Sequence, residues 1–488
     1  MKKPNKKRQL QIQQKKQKTF IMDTLFCDEL LIEIFHRLPP PSAVAVSLVS
    51  RRWRRLLRSS TTSLSLNFPP PYNPTTISSL SSFLRQHPFL SSLSAAAPAL
   101  CGDGGILLSV AASCPNLRHL QLSSSPVSAL SLYNFSNSCK HLSSISLAVS
   151  RPLSFNWMSC FKSLRCLSLS IKNPLAETDD SSLGSVKDAI FDVELSLESL
   201  SLSGISPRDY GVGFLWRNCK NVRKLQLKSC ESVGDYSSFS DFLRLANDLQ
   251  ELELRSCRSI ANLVMLTLCE NCVSLNSLLI YDGGSREGLL QFLNQSKCSL
   301  RNLDFRLPLD LDNSHMIALS ENLHFRGLMS LRLQCCCFVT GEGLKAVGRA
   351  LGGALEELSL INCDVVEREH GLLTTLGQDL RKLKRLDLSY NDMLHDKEVV
   401  SMLASCDCLV ELRLRGCSRL SDAAVDVMVR RCKQLQRVDI AYCSGIGVQG
   451  VEFFVLNAPC LRRVEVEQSK LSEAAMARAS DRFMQVVC

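Results

Sequence analysis

The stretch Cys432-Lys-Gln-Leu435-Gln-Arg-Val438-Asp-Ile440-Ala-Tyr-Cys443 constrains this chain more than any other. Its pattern is Cys-x-x-Leu-x-x-Leu-x-Leu-x-x-Cys, with Val438 and Ile440 in two leucine slots. Cys406–Cys417 and Cys219–Cys230 repeat it, and weaker copies lacking a cysteine end at Cys257, Cys336, Cys363 and Asn391. With the first leucine slot as a marker there are about fourteen copies, at Leu117, Leu142, Leu164, Leu197, Val222, Leu249, Leu275, Leu300, Leu328, Leu355, Leu383, Leu409, Leu435 and Leu461. From Leu197 onward the steps are 25 to 28 residues.

That period and pattern define a leucine-rich repeat. The Leu-x-Leu core alternates with period two, so it reads as a short strand with one buried face. The remaining residues of each copy return the chain to the next strand. Several carry helical spacing, as in Ala423, Ala424, Val427 and Met428 behind the expected cap Ser421-Asp422. One strand-plus-helix unit cannot bury its apolar face alone, so copies stack. The expected fold is α/β: a solenoid, or horseshoe, with a parallel concave sheet and outer helices.

The chain has 488 residues, 45% of them hydrophobic, enough for a large core built repeat by repeat. No apolar run approaches the roughly 18–20 residues that span a bilayer, and no secretory signal is visible, so no membrane partner is expected. Of 23 cysteines, twelve occupy two repeat slots: Cys230, Cys257, Cys336, Cys363, Cys417 and Cys443 close the pattern, while Cys114, Cys139, Cys219, Cys272, Cys406 and Cys432 precede the marker. In those places a thiol serves as a small buried hydrophobe and weak donor. They read as reduced thiols, in nucleus or cytoplasm. Cys269-x-x-Cys272 and Cys335-Cys336-Cys337 lack a second ligand pair at zinc spacing, so neither a metal nor any other cofactor is expected.

The net charge of +10 misleads, because residues 1–20 hold eight Lys or Arg and no acid, leaving +2 for the rest. This basic, apolar-poor tail reads as disordered. A nuclear-import signal, a nucleic-acid patch, a passive tail and an extension upstream of a start at Met22 all stay open.

Between residues 22 and 66 the pattern changes. Leu30, Leu31, Ile34, Phe35 and Leu38 form an apolar stripe at helical spacing, with Asp28 the expected cap and Pro39-Pro40-Pro41 the stop. A second helix follows from about Ser42 through Val49, then Ser50-Arg51-Arg52-Trp53-Arg54-Arg55-Leu56-Leu57. So short a piece is expected to lack a stable core and to dock on something.

Asp28-Glu29-Leu30-Leu31, Ile34-Phe35, Leu38-Pro39, Leu48-Val49-Ser50-Arg51 and Trp53-Arg-x-Leu56 together resemble an F-box. Cys27 departs from the family, which usually has proline there. With the cysteine-containing repeats, residues from about 23 to 470 resemble the F-box/leucine-rich-repeat substrate receptors, plant-like in type. The resemblance implies docking on a Skp-type adaptor, and through it on a cullin–RING ubiquitin ligase, with Leu30, Leu31, Ile34, Phe35, Leu38, Pro39, Val49 and Trp53 as the adaptor-binding residues. It also implies a protein substrate marked for proteasomal degradation.

The expected organisation is a basic tail at 1–21, the F-box at 22–66, a linker and solenoid start at 67–105, repeats at 106–470 and a C-terminal helical cap at 471–488. Pro69-Pro-Pro-Tyr-Asn-Pro74 reads as stiff and extended, and Ser78–Ser94 as an irregular helical first turn. Lys172–Asp192 reads as an inserted acidic loop, either a binding loop or a tolerated insertion.

Residues flanking each Leu-x-Leu face the concave side. The early ones are small, as in Ser144, Ser168 and Ser201; from Lys224 onward they are charged. Their signs nearly cancel, which disfavours a nucleic-acid ligand and fits a folded protein or peptide. Neighbouring strands let such charges pair, and Asp387, Arg413 and Asp439 should alternate along one row. The substrate is expected around Tyr281, Arg306, Arg332, Ile361, Arg385 and Arg413, since interfaces favour arginine and aromatic anchors. Two other classes stay in view. One is a repeat scaffold or inhibitor without a ubiquitin role. The other is an enzyme, against which stand eight histidines in no nucleophile–base arrangement and the lack of a phosphate loop.

Overall fold

A computed structural model of the chain describes residues 25–39, 42–67, 74–96, 105–123, 126–173, 194–307 and 310–487. The basic tail, Pro40-Pro41, most of the proline-rich stretch and of the glycine break, and the acidic loop beyond Asn173 lie outside them. The chain divides into two compact units, residues 1–196 and 197–488. No helix among the described residues is long and apolar enough to cross a membrane.

The first unit opens with three helices, α1 (Asp28–Arg37), α2 (Ser42–Val49) and α3 (Arg51–Ser60). Asp28 is not the cap of α1. Cys27 holds that position without a side-chain bond, and Asp28 instead accepts from Arg52 Nε of α3 at 2.9 Å. The helix ends where Leu38 turns extended ahead of Pro39, as a residue before proline must. Ser50 caps α3, its hydroxyl accepting from the Trp53 amide at 3.1 Å.

These helices have a core of their own, contrary to expectation. Leu31, Phe35, Val46 and Leu56 are buried together, with Phe26, Ile32, Trp53 and Leu57 packed against them. Each such side chain contributes roughly 1.5–3 kcal/mol when fully buried, so the stripe on α1 is spent partly inside the unit.

Parallel strands start earlier than expected. β1 (Ser63–Asn67) pairs with β2 (Ser92–Ala96), then β3 (His119–Ser123), β4 (Ser144–Ser150) and β5 (Cys166–Lys172) follow in order. The stretch assigned to a linker therefore holds a strand, and Ser78–Ser94 splits between a helix at Pro74–Leu84 and β2. The missed copy is Leu90-Ser-Ser-Leu93-Ser-Ala95, whose three apolar slots are all buried.

The second unit is a parallel sheet backed by helices. Its strands are β6 (Ser199–Ser203), β7 (Lys224–Lys228), β8 (Glu251–Arg255), β9 (Ser277–Tyr281), β10 (Asn302–Arg306) and β11 (Ser330–Gln334). Then come β12 (Glu357–Ile361), β13 (Arg385–Asp387), β14 (Glu411–Arg413), β15 (Arg437–Asp439), β16 (Arg463–Glu465) and β17 (Gln485–Val487). Each pairs with the next in register, so that Leu303, Leu331, Leu358, Leu386, Leu412, Val438 and Val464 form one buried row facing the helices. Helix Asp422–Arg431 begins at the expected cap, Ser421 accepting from the Ala423 amide at 3.2 Å. The C-terminal segment is more than a helical cap: after helix Glu473–Asp481, β17 adds to the sheet edge.

All twelve slot cysteines are buried. Those that close the pattern are aimed by the residue before them, which has positive φ at Ser229, Ser256, Cys335, Asn362, Gly416 and Tyr442. At Gly416 a Cβ would also come within 2.9 Å of the Tyr390 ring, which lies over it.

Candidate functional site

Two surfaces carry the residues singled out above, one in each unit. On the first, Leu31 and Phe35 are 1% and 7% exposed, so they sit in the core. Trp53 packs its ring 5.3 Å from that of Phe35. Leu30, Ile34, Leu38, Pro39 and Val49 are exposed. So are Val44 and Leu48 of α2, 69% and 72% exposed, which periodicity did not single out because α2 is apolar nearly all round. Exposed Arg51, Arg54 and Arg55 lie on the next helix. Nothing among the described residues covers this apolar row.

On the second unit, the sheet face away from the helices carries charges in register. Asp387, Arg413 and Asp439 do alternate on three adjacent strands. The ion pairs, however, run along strands as well as across them. Glu411, almost wholly buried, takes Arg413 of its own strand and Arg437 of the next, the latter at 2.8 Å. Arg415 spans two strands, donating to Asp439 at 2.9 Å and to Glu465 at 3.3 Å, and stacks 5.3 Å from the Tyr442 ring centre. Burial pushes the Asp439 carboxyl above its ordinary range, against the pull of Arg415. A depression of about 200 Å³ sits here, lined by Glu411, Arg413, Arg437, Asp439, Arg463 and Glu465. That is below the roughly 300–1,000 Å³ of small-molecule pockets, and its charges are mutually satisfied.

The expected substrate residues fall into two groups. Tyr281, Arg306, Arg332 and Ile361 come together on the consecutive strands β9 to β12. Arg385 and Arg413 stand further along, each held by an acid: Arg385 by Glu357 at 2.7 Å, Arg413 by Glu411. Ile361 is buried, 4% exposed. Arg306 is clamped by Asp304, Nη2 to Oδ2 at 2.6 Å, which raises its already high pKa. Arg332 has no such partner among the described residues. Among the described residues no group of three or more His, Cys, Asp or Glu side chains is arranged to hold a metal ion.

Residues 24–62 match the model of the F-box domain, and residues 328–348 and 379–397 match that of the Leucine Rich repeat. The chain carries an F-box domain followed by leucine-rich repeats. Among solved structures it is similar to the Rad7 and Elc1 complex in yeast, at 16% identity and a TM-score of 0.45, over 100% of this chain and 98% of that one. It is also similar to an internalin from Listeria monocytogenes, at 14% identity and a TM-score of 0.40, over 83% and 88% of the two chains.

Proposed function

We propose that the chain is the substrate-recognition subunit of an SCF-type ubiquitin ligase. Its F-box docks on a Skp-type adaptor, and the sheet face of its repeats binds the protein to be degraded. The reading rests on one observation above all: residues 24–62 match the F-box domain, and α1 and α2 leave Leu30, Ile34, Leu38, Val44, Leu48 and Val49 uncovered beside a completed core. The chain is not the catalyst in this reading. It raises the effective concentration of substrate near the transferring subunit.

Co-expression of the full chain with a Skp-type adaptor tests this. Leu30→Glu with Leu48→Glu should abolish co-purification and leave the circular dichroism and thermal midpoint near wild type, because both side chains are already in solvent. Undiminished co-purification of the double variant would refute the docking face.

A further inference from the structure

The sheet face of the second unit is nearly closed on itself electrostatically, and the exception is informative. From Lys224 to Arg463 its strand-borne cations have acidic partners: Lys224 with Glu251, Lys228 and Arg255 with Glu253, Arg306 with Asp304, Arg385 with Glu357, Arg437 with Glu411, Arg463 with Glu465. Arg332 alone among them has no ion pair or hydrogen bond from its side chain within the described residues, and its Nε is buried without an acceptor. Its register neighbours explain why. Asp304 on one side is already clamped by Arg306, and Ser359 on the other is buried and neutral. A desolvated guanidinium N–H without an acceptor costs stability, so an unmet acceptor is what this position lacks.

We infer that Arg332 is the anchor for a carboxylate, supplied by an Asp or Glu side chain of an extended segment of the bound protein. This rests on the receptor reading above and names the chemistry of its ligand. Half-exposed Leu279 and Tyr281, both on β9 two strands away, give an apolar seat near the anchor, and small Ser330 leaves space next to it. The segment should therefore pair an acid with a neighbouring apolar residue. A carboxylate fits better than a phosphate: a dianion wants several cations, and Arg306 and Arg385 are committed to Asp304 and Glu357.

The test pans the full chain against a displayed library of random peptides. Enriched peptides should carry Asp or Glu beside Leu, Ile, Phe or Tyr, and should bind Arg332→Met at least about tenfold more weakly. Arg332→Glu should select Lys or Arg at the same place. Arg332→Met should keep or raise the thermal midpoint, whereas Arg385→Met should lower it. The assignment is overturned if the full chain enriches no acidic peptides, if Arg332→Met binds them equally, or if it loses thermal stability. It is also overturned if a phosphoserine version of an enriched peptide binds more tightly than the acidic one. Adaptor co-purification, read in parallel, reports on the receptor proposal separately, since peptide panning needs no adaptor.

Discussion

The Cys443 thiol donates to the backbone carbonyl of Leu414, one repeat back, at 2.9 Å. Cys417 does the same to Leu388 at 3.1 Å, Cys257 to Leu227 at 3.3 Å and Cys363 to Leu333 at 3.5 Å. Asn391 occupies the same slot and reaches Leu360 at 2.9 Å through its amide. The slot thus brings a side-chain donor to a buried carbonyl near the end of the preceding strand, where the chain turns out of the sheet.

From this it follows that Cys417→Ser should be destabilised by roughly 1–3 kcal/mol. The shorter hydroxyl cannot both fill the thiol's volume and reach Leu388. Cys417→Asn should lose less, because Asn391 shows that the slot accepts an amide. Urea unfolding midpoints decide it, and a Ser variant as stable as wild type would mean that neither the bond nor the volume matters there.

Burial also governs reactivity. It pushes the Cys417 thiol up to about 12 and the Cys443 thiol up to about 11. Since the thiolate is the nucleophile, alkylation of the folded chain should reach exposed Cys27, Cys166, Cys408 and Cys460 first. Peptide mass spectrometry after short iodoacetamide exposure should find the slot cysteines unlabelled until the chain is unfolded.

The repeat was legible because its signal is periodic and redundant. Every marker from Leu117 to Leu461 stands two residues ahead of a strand. What was missed carries no such redundancy. Ser63-Leu64-Ser-Leu66 and Ser92-Leu93-Ser-Ala95 alternate correctly but lack cysteine, charge and β-branched residues. The helical stripe in the F-box was visible, but spacing cannot say which half of it meets α2 and α3; Leu31 goes inward while Leu30 stays out. On the sheet face, the register ladder of Asp387, Arg413 and Asp439 was readable. The along-strand pairs Arg306–Asp304 and Arg463–Glu465 depend on side-chain rotamers, which residue type and register do not reveal.

The core of the F-box yields its own prediction. Leu31→Ala should cost about 2–5 kcal/mol, the range for emptying a buried leucine site, from a core that holds four buried side chains among the described residues. Adaptor binding would then fall together with helicity. Leu48→Glu should lose the adaptor with helicity intact, and circular dichroism with pull-down on both variants separates the two effects.

A last prediction concerns pH. Asp312 caps helix Asn313–Glu321, accepts from the Ser314 amide at 3.0 Å and from Arg286 Nη2 at 2.7 Å, and sits 2.8 Å from His315 Nδ1. Burial opposes its ionisation, but the hydrogen bonds from Ser314 and the nearby His315 and Arg286 outweigh it and hold the carboxyl at about 2. A depressed carboxylate stabilises the fold in full above its unfolded value of 3.8, and that share is lost as pH falls toward 2. Asp312→Asn should therefore cost on the order of 1–2 kcal/mol at neutral pH. The gap between variant and wild type should narrow through the acid range, because the wild-type carboxyl becomes neutral too. Denaturant unfolding of both proteins at neutral pH and at successive acid steps measures this. A gap that stays constant down to pH 2 would assign the cap's value to neutral hydrogen bonding instead of to the carboxylate charge.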